Sequence, residues 1–181
     1  MSGHSKWAQI KHKKASTDAK RGKIFSKLSR MITVAAKEAG TDPKTNIKLA
    51  SAIEEARKSN LPADNIERAI SKASGKENSE LKEVLYEAYG PGGSAVIITA
   101  VTDNSNRTTN EIKHLLSENG SKLGEQGSAM WAFDKQGKEF VAKFPVQLST
   151  DDLKKFEELL SALDDQEDVQ EVYSNESAED K

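Results

Sequence analysis

The spacing of apolar positions changes character once along this chain, near residue 80. Before that point Ile24, Leu28, Met31, Ile32, Ala35 and Ala39 recur by threes and fours, predicting a helix that Ser16, Thr17 or Asp18 caps and Gly40 ends. Asp42 and Pro43 turn the chain into a second helix carrying Ile47, Leu49, Ala50, Ile53 and Ala56, which closes at Ser59 and Asn60. Leu61-Pro62-Ala63-Asp64 opens a third, with Pro62 near the first helical position and Ile66, Ala69, Ile70 and Ala73 facing inward. Short connections and thin alanine-rich faces predict a three-helix bundle over residues 17–75, followed by a linker at Gly75–Ser79.

Beyond the linker the pattern is strand-like. Leu81 to Tyr89 and Ala95 to Thr102 are two strands around Gly90-Pro91-Gly92-Gly93, and Ser105 to Asn119 is a helix carrying Ile112, Leu115 and Leu116 and stopped by Gly120. Met130 to Asp134 and Glu139 to Phe144 form a second hairpin around Lys135-Gln136-Gly137. Ser149 to Asp152 caps a last helix with Leu153, Phe156, Leu159, Leu160 and Leu163, and Val169 to Tyr173 is a closing strand. The order contains a split β-α-β-β-α-β pattern with one additional strand. The expected fold is α+β: an N-terminal three-helix bundle with a basic arm, then a ferredoxin-like antiparallel sheet domain with helices on one face. Domain boundaries fall at 1–78 and 79–175, with 176–181 a disordered tail.

Composition removes several functions. With 31% charged and 35% hydrophobic residues among 181, the chain reads as an ordinary soluble protein, and its longest apolar run, Ala95 to Val101, is too short to cross a membrane. There is no cysteine, and His4, His12 and His114 are too few and scattered for a metal site. No cofactor, metal, small-molecule substrate or catalytic residue is expected, and the chain reads as cytoplasmic and not an enzyme.

Charge changes the picture most. The first thirty residues hold nine lysines and arginines against one acid, Asp18, so they carry +8 while residues 31–181 carry −10; the net −2 conceals this. Residues 1–15 lack periodicity and read as a flexible or partner-ordered arm. A nucleic-acid reading has Lys6, Lys11, Lys13, Lys14, Lys20, Arg21 and Lys23 displacing counterions from phosphates, His12 donating to them, and Trp7 stacking on a base or wedging a groove. The competing reading is a solvated charged tail with Trp7 tucked against the bundle. Thr102 to Thr108, at a strand-to-helix junction, either holds an anion through backbone N–H groups and Arg107 or merely caps a helix with Arg107 on the surface. Gly90 to Gly93 is a turn, since it lacks the Lys-Ser/Thr of a phosphate loop. Residues 151–181 carry −9, a face that repels phosphate or folds against the basic arm when nucleic acid is absent.

Several motifs in fixed order carry a resemblance. Gly3-His-Ser-Lys-Trp7-Ala-x-Ile-Lys-His12-Lys-Lys, Asp18-x-x-Arg21-Gly-Lys-Ile-Phe25, Asp42-Pro43-x-x-Asn46, Leu61-Pro-x-Asp64-Asn-Ile-Glu-Arg-Ala-Ile70, Tyr86-Glu-x-Tyr-Gly-Pro-Gly-Gly93 and Thr102-Asp-Asn-x-Asn-Arg-Thr108 resemble the YebC family of probable transcriptional regulators. That family also includes mitochondrial translational activators of cytochrome c oxidase subunit one. The match runs from residue 2 to about Gly137 and resumes from Leu159 to Asn175. The resemblance implies a helical N-terminal domain joined to α+β material and no enzymatic activity. It also implies a nucleic-acid-binding regulatory protein: a DNA-binding transcriptional regulator, or alternatively a ribosome-associated translation factor binding ribosomal RNA. Typical members carry some tens of additional residues, an inserted third domain, between the positions of Gly137 and Leu159, so two domains are expected here. The arm and Lys20, Arg21 and Lys23 are the expected contacts, with Arg107 as a second anchor.

Overall fold

The computed structural model describes residues 3–14, 18–75 and 81–177, and within them the side chains of residues 3–5, 12, 14 and 19 are not described. The expected cap at Ser16 and Thr17, most of the linker and the end of the tail therefore lie outside the described residues. The elements run α1 (Gly3–Lys14), α2 (Asp18–Ala39), α3 (Ile47–Lys58), α4 (Ala63–Ser74), β1 (Lys82–Tyr89), β2 (Ala95–Thr102), α5 (Ser105–Glu118), β3 (Lys122–Leu123), β4 (Phe133–Gln136), β5 (Glu139–Ala142), α6 (Thr150–Asp165) and β6 (Val169–Ser174). The chain divides into two compact units: Ala15–Glu83 with Val101–Asn104, and α1 with Val84–Ala100 and everything from Ser105 onward.

In the helical unit α2 packs against both α3 and α4. Its core joins Leu28, Ile32, Ala35 and Ala36 to Leu49, Ala52, Ile53, Ala56, Leu61, Ile66 and Ala69, and the alanines let the helix backbones approach closely. Ile47, expected on the buried stripe of α3, is 83% exposed. It occupies the first helical turn, where the buried Asn46 rather than an apolar residue fixes the chain. The Asn46 side chain accepts from Leu49 N at 3.0 Å and donates to the carbonyls of Ala35 and Gly40, each at 2.7 Å.

The α+β unit is built on a four-stranded sheet in the order β3-β1-β2-β6, with β3 antiparallel to β1 and β6 antiparallel to β2. β1 and β2 are joined by the tight turn Gly90–Ser94, whose ends are closed by Gly90 N donating to Ser94 O at 2.8 Å. Gly92 there has φ of +66°, and a Cβ would stand 2.6 Å from Leu148 Cδ2, so this turn demands glycine. Alternation along β2 sorts the two faces. Val96 and Ile98 join Ile112 and Leu116 of α5 and Phe156, Leu159, Leu160 and Leu163 of α6, whereas Ala95 and Ile97 join Ala129, Ala132, Phe133 and Phe140.

The second face is thus covered by β4 and β5, which form a separate two-stranded sheet. Met130–Ala132 is a 3-10 turn leading into β4 rather than strand, and the short β3 was not apparent in the alternation. The larger correction concerns the arm: residues expected to be a flexible or partner-ordered arm and grouped with the bundle form helix α1, which packs on α6 and β6 of the α+β unit. Trp7 and Ile10 supply an apolar side too narrow to register as periodicity in so polar a stretch, yet sufficient when acceptors face the surrounding lysines.

Candidate nucleic-acid interface

On α1, Trp7 is 0% exposed and belongs to the main core of the α+β unit. Its Nε1 donates to Glu171 Oε2 at 3.1 Å. Lys11 Nζ donates to the other oxygen of the same carboxylate at 3.1 Å and lies 5.9 Å from the Trp7 ring centroid. One turn back, Lys6 Nζ stands 2.8 Å from Glu157 Oε1 of α6. The half-buried Lys6 and Lys11 therefore spend their charge on two glutamates of the acidic C-terminal segment, while Gln9 and Lys13 are exposed. Behind them Glu176 is buried, and that burial raises its pKa, with Glu157 adding repulsion and Lys6 opposing the shift.

Within the helical unit Lys20 is half-buried, and Arg21 and Lys23 are exposed. Arg21 is paired with Asp18 at 2.9 Å across one helical turn, an exposed contact of little energetic weight. The side chains of His12 and Lys14 lie outside the described residues. Arg107 has a definite partner: its Nη2 donates to Asp168 Oδ2 at 3.0 Å, where Thr108 Oγ1 also donates at 2.7 Å and Gln166 Nε2 at 3.3 Å. The anion held at the start of α5 is thus a buried carboxylate of the chain's own β6 approach.

Comparison with known proteins places these features. The profile described as the TACO1/YebC protein N-terminal domain matches residues 5–76, and that described as the TACO1/YebC second and third domain matches residues 81–139 and 138–176. The chain belongs to the TACO1/YebC family. A relative from Thermoanaerobacter pseudethanolicus named a probable transcriptional regulatory protein is 40% identical over 243 aligned positions, spanning all of this chain and 99% of that protein. Another protein of that name, from Natranaerobius thermophilus, is 54% identical over 138 residues, covering 76% of this chain and 55% of its own length. The crystal structure of a conserved hypothetical protein from Aquifex aeolicus matches with a TM-score of 0.87 and 34% identity, covering 97% of this chain and 98% of that one. Because 243 aligned positions must accommodate a chain of 181 residues, the first relative carries material that this TACO1/YebC member lacks.

Several motif residues of the TACO1/YebC resemblance hold the fold together. Asn46 locks the α2–α3 connection, Gly92 the β1–β2 turn, and Arg107 and Thr108 grip Asp168. Glu87 does the same from within β1: its buried carboxylate accepts from the backbone N–H groups of Gly127, Ala129 and Met130 at 2.6, 2.7 and 2.8 Å. Burial alone pushes this group up, but the three donors together outweigh it and hold its pKa below the ordinary range. Among the described residues no group of three or more His, Asp or Glu side chains could hold a metal, and no helix is long and apolar enough to cross a membrane. Treating Met130 to Asp134 simply as strand passes over Trp131, which is 56% exposed. A tryptophan beside the lysines of a short hairpin was the available signal.

Proposed function

We propose that this chain is a non-enzymatic, nucleic-acid-binding regulatory protein that acts on DNA as a transcriptional regulator, working in the cytoplasm. The observation that carries the reading is the segregation of charge, +8 in the first thirty residues against −10 in the remainder. The names borne by the relatives agree with it. Lys13, Lys20, Arg21 and Lys23, with Lys14 and His12, supply the first contacts to the phosphate backbone. Lys6 and Lys11 join when phosphates replace Glu157 and Glu171 as their partners. Trp7 supports the arm from within the core, and Arg107 supports the fold. Contacts of this kind position a backbone without reading bases, so any sequence preference comes from nucleic-acid shape.

The test is binding of the full chain to a short duplex, followed by fluorescence anisotropy across a salt series. If about five phosphates are neutralised, log K falls against log salt with a slope of roughly −4 to −5, and removing Lys13 or Lys23 reduces the slope by about one. A salt-independent affinity refutes the reading. A second reading, a ribosome-associated factor contacting ribosomal RNA, draws support from the exposed Trp131, since unpaired RNA bases are commonly recognised by stacking. Co-sedimentation with ribosomes, lost on nuclease treatment, favours RNA; enrichment on promoter DNA without ribosomes favours transcription.

A further inference from the structure

The hairpin that covers the second face of the sheet also presents a pair of aromatic rings to solvent. β4 and β5 pair from Phe133 opposite Ala142, and Lys143 N donates to Ala132 O at 2.8 Å, so the next residues outward, Trp131 and Phe144, fall side by side at the open end of the hairpin. Their centroids are 5.7 Å apart with 38° between the ring planes, and Trp131 is 56% and Phe144 50% exposed. The indole is held in place. Its Nε1 donates to Tyr89 Oη at 3.2 Å, and the Tyr89 hydroxyl donates to the Ser128 carbonyl, so the polar edge is satisfied while the rings remain uncovered. Lys143 Nζ lies 5.8 Å from the Phe144 centroid and 3.5 Å from Asp134 Oδ1.

We propose that Trp131 and Phe144 form a stacking platform for one unpaired nucleobase, with Lys143 exchanging Asp134 for the adjoining phosphate. This rests on the nucleic-acid reading above and adds to it a preference for unpaired strand at this place. Size and charge select the occupant. Two rings present an apolar face about one base wide, whereas a stable protein interface buries about 800 Å² on each partner. Toward the turn, at the far end of the hairpin from the two rings, Asp134, Lys135, Gln136 and Lys138 are all exposed and polar, so the exposed aromatic patch does not continue to the hairpin tip. An ammonium group beside an aromatic face is the pairing that single-strand binding uses, with stacking for the base and charge for the backbone.

The experiment titrates the full chain with dodecameric oligothymidine and, separately, with a duplex of equal length, reading tryptophan emission and anisotropy together. The single strand should quench emission, and Trp131→Ala should weaken single-strand binding roughly five- to a hundredfold, the worth of one stacked base. Phe144→Ala should weaken it less, and Trp131→Phe should retain most of the affinity while removing most of the quench. Quenching as strong in Trp131→Phe as in the parent would come wholly from Trp7, the other tryptophan, whose neighbour Lys11 changes partner on binding, and would overturn the platform. So would unchanged single-strand affinity in Trp131→Ala; if Lys13→Ala and Lys23→Ala still weakened binding, the proposed function would stand without it. Failure of both nucleic acids to bind would remove the functional reading itself, and the platform with it.

Discussion

Replacing Trp7 with alanine separates a tryptophan that contacts nucleic acid from one that holds the arm in place. A fully buried aromatic side chain removes about 150–250 Å² from water, which at about 25 cal/mol per Å² is worth about 4–6 kcal/mol as an upper bound. Measured Trp→Ala losses in cores run about 3–5 kcal/mol, and a unit of about 100 residues melts about 4–8 °C lower for each kcal/mol. Trp7→Ala should therefore lower the melting temperature of the α+β unit by roughly 12–40 °C. If helix α1 detaches instead of the unit unfolding around a cavity, the loss is capped at the free energy of docking, and the arm becomes cleavable by trypsin at Lys11 and Lys13. Scanning calorimetry combined with limited proteolysis distinguishes the two outcomes. A variant melting within a degree of the parent, equally resistant to trypsin but deficient in nucleic-acid binding, would refute the buried role.

Three further outcomes are expected. Glu87→Gln leaves backbone donors facing an amide that cannot accept from all of them and should cost about 2–4 kcal/mol at neutral pH, measured by urea unfolding. Folding lowers the Glu87 pKa, so its stabilisation is complete above the ordinary value of 4.5 and is lost as pH falls through the lower folded value; the gap between parent and variant should close on acidification. Arg107→Ala should destabilise the chain by about 1–3 kcal/mol, discounted for the partial exposure of the arginine, while leaving the salt slope of binding unchanged; a slope reduced by one would return Arg107 to the list of phosphate contacts. Asn46→Ala removes a helix cap and two bonds to backbone carbonyls, and should cost about 2–4 kcal/mol in the melting of the helical unit, with no change in the melting of the α+β unit.

Helices α2 to α6 were legible because each carries apolar residues at helical spacing between recognisable stops. β1, β2 and β6 were legible from length and composition. The remaining elements depend on contacts distant in sequence. Among the described side chains of helix α1, Trp7 and Ile10 are the large apolar ones, and the helix docks through Glu157 and Glu171, which no local window contains. β3 is two residues long and exists only through its pairing with Ala88 and Tyr89. The hairpin of β4 and β5 is legible as a hairpin, but alternation cannot say whether a hairpin joins a sheet or lies across it. The candidate site divides the same way. The exposure of Lys13, Arg21 and Lys23 follows from their polarity, whereas the burial of Trp7 and the engagement of Arg107 required knowing where Glu171 and Asp168 would be.

The acidic C-terminal segment acquires a meaning from this geometry that its charge alone did not have. Glu157 and Glu171 accept from the ammonium groups of Lys6 and Lys11, which are among the groups a phosphate backbone would seek. The pairs are partly buried, with Lys11 32% and Glu171 22% exposed, so exchanging a carboxylate for a phosphate costs more than at a fully exposed pair, and the counterion released from the polyanion offsets that cost. Trp7 is in a different position, since leaving the core would forfeit several kcal/mol that a single stacked base, worth about 1–3 kcal/mol, does not restore. The arm is therefore best understood as a basic helix anchored by its tryptophan, whose lysines can change partners while the helix remains in place. The surface available for stacking then lies with Trp131, whose hydrogen bond to Tyr89 is already made and whose ring is open to solvent.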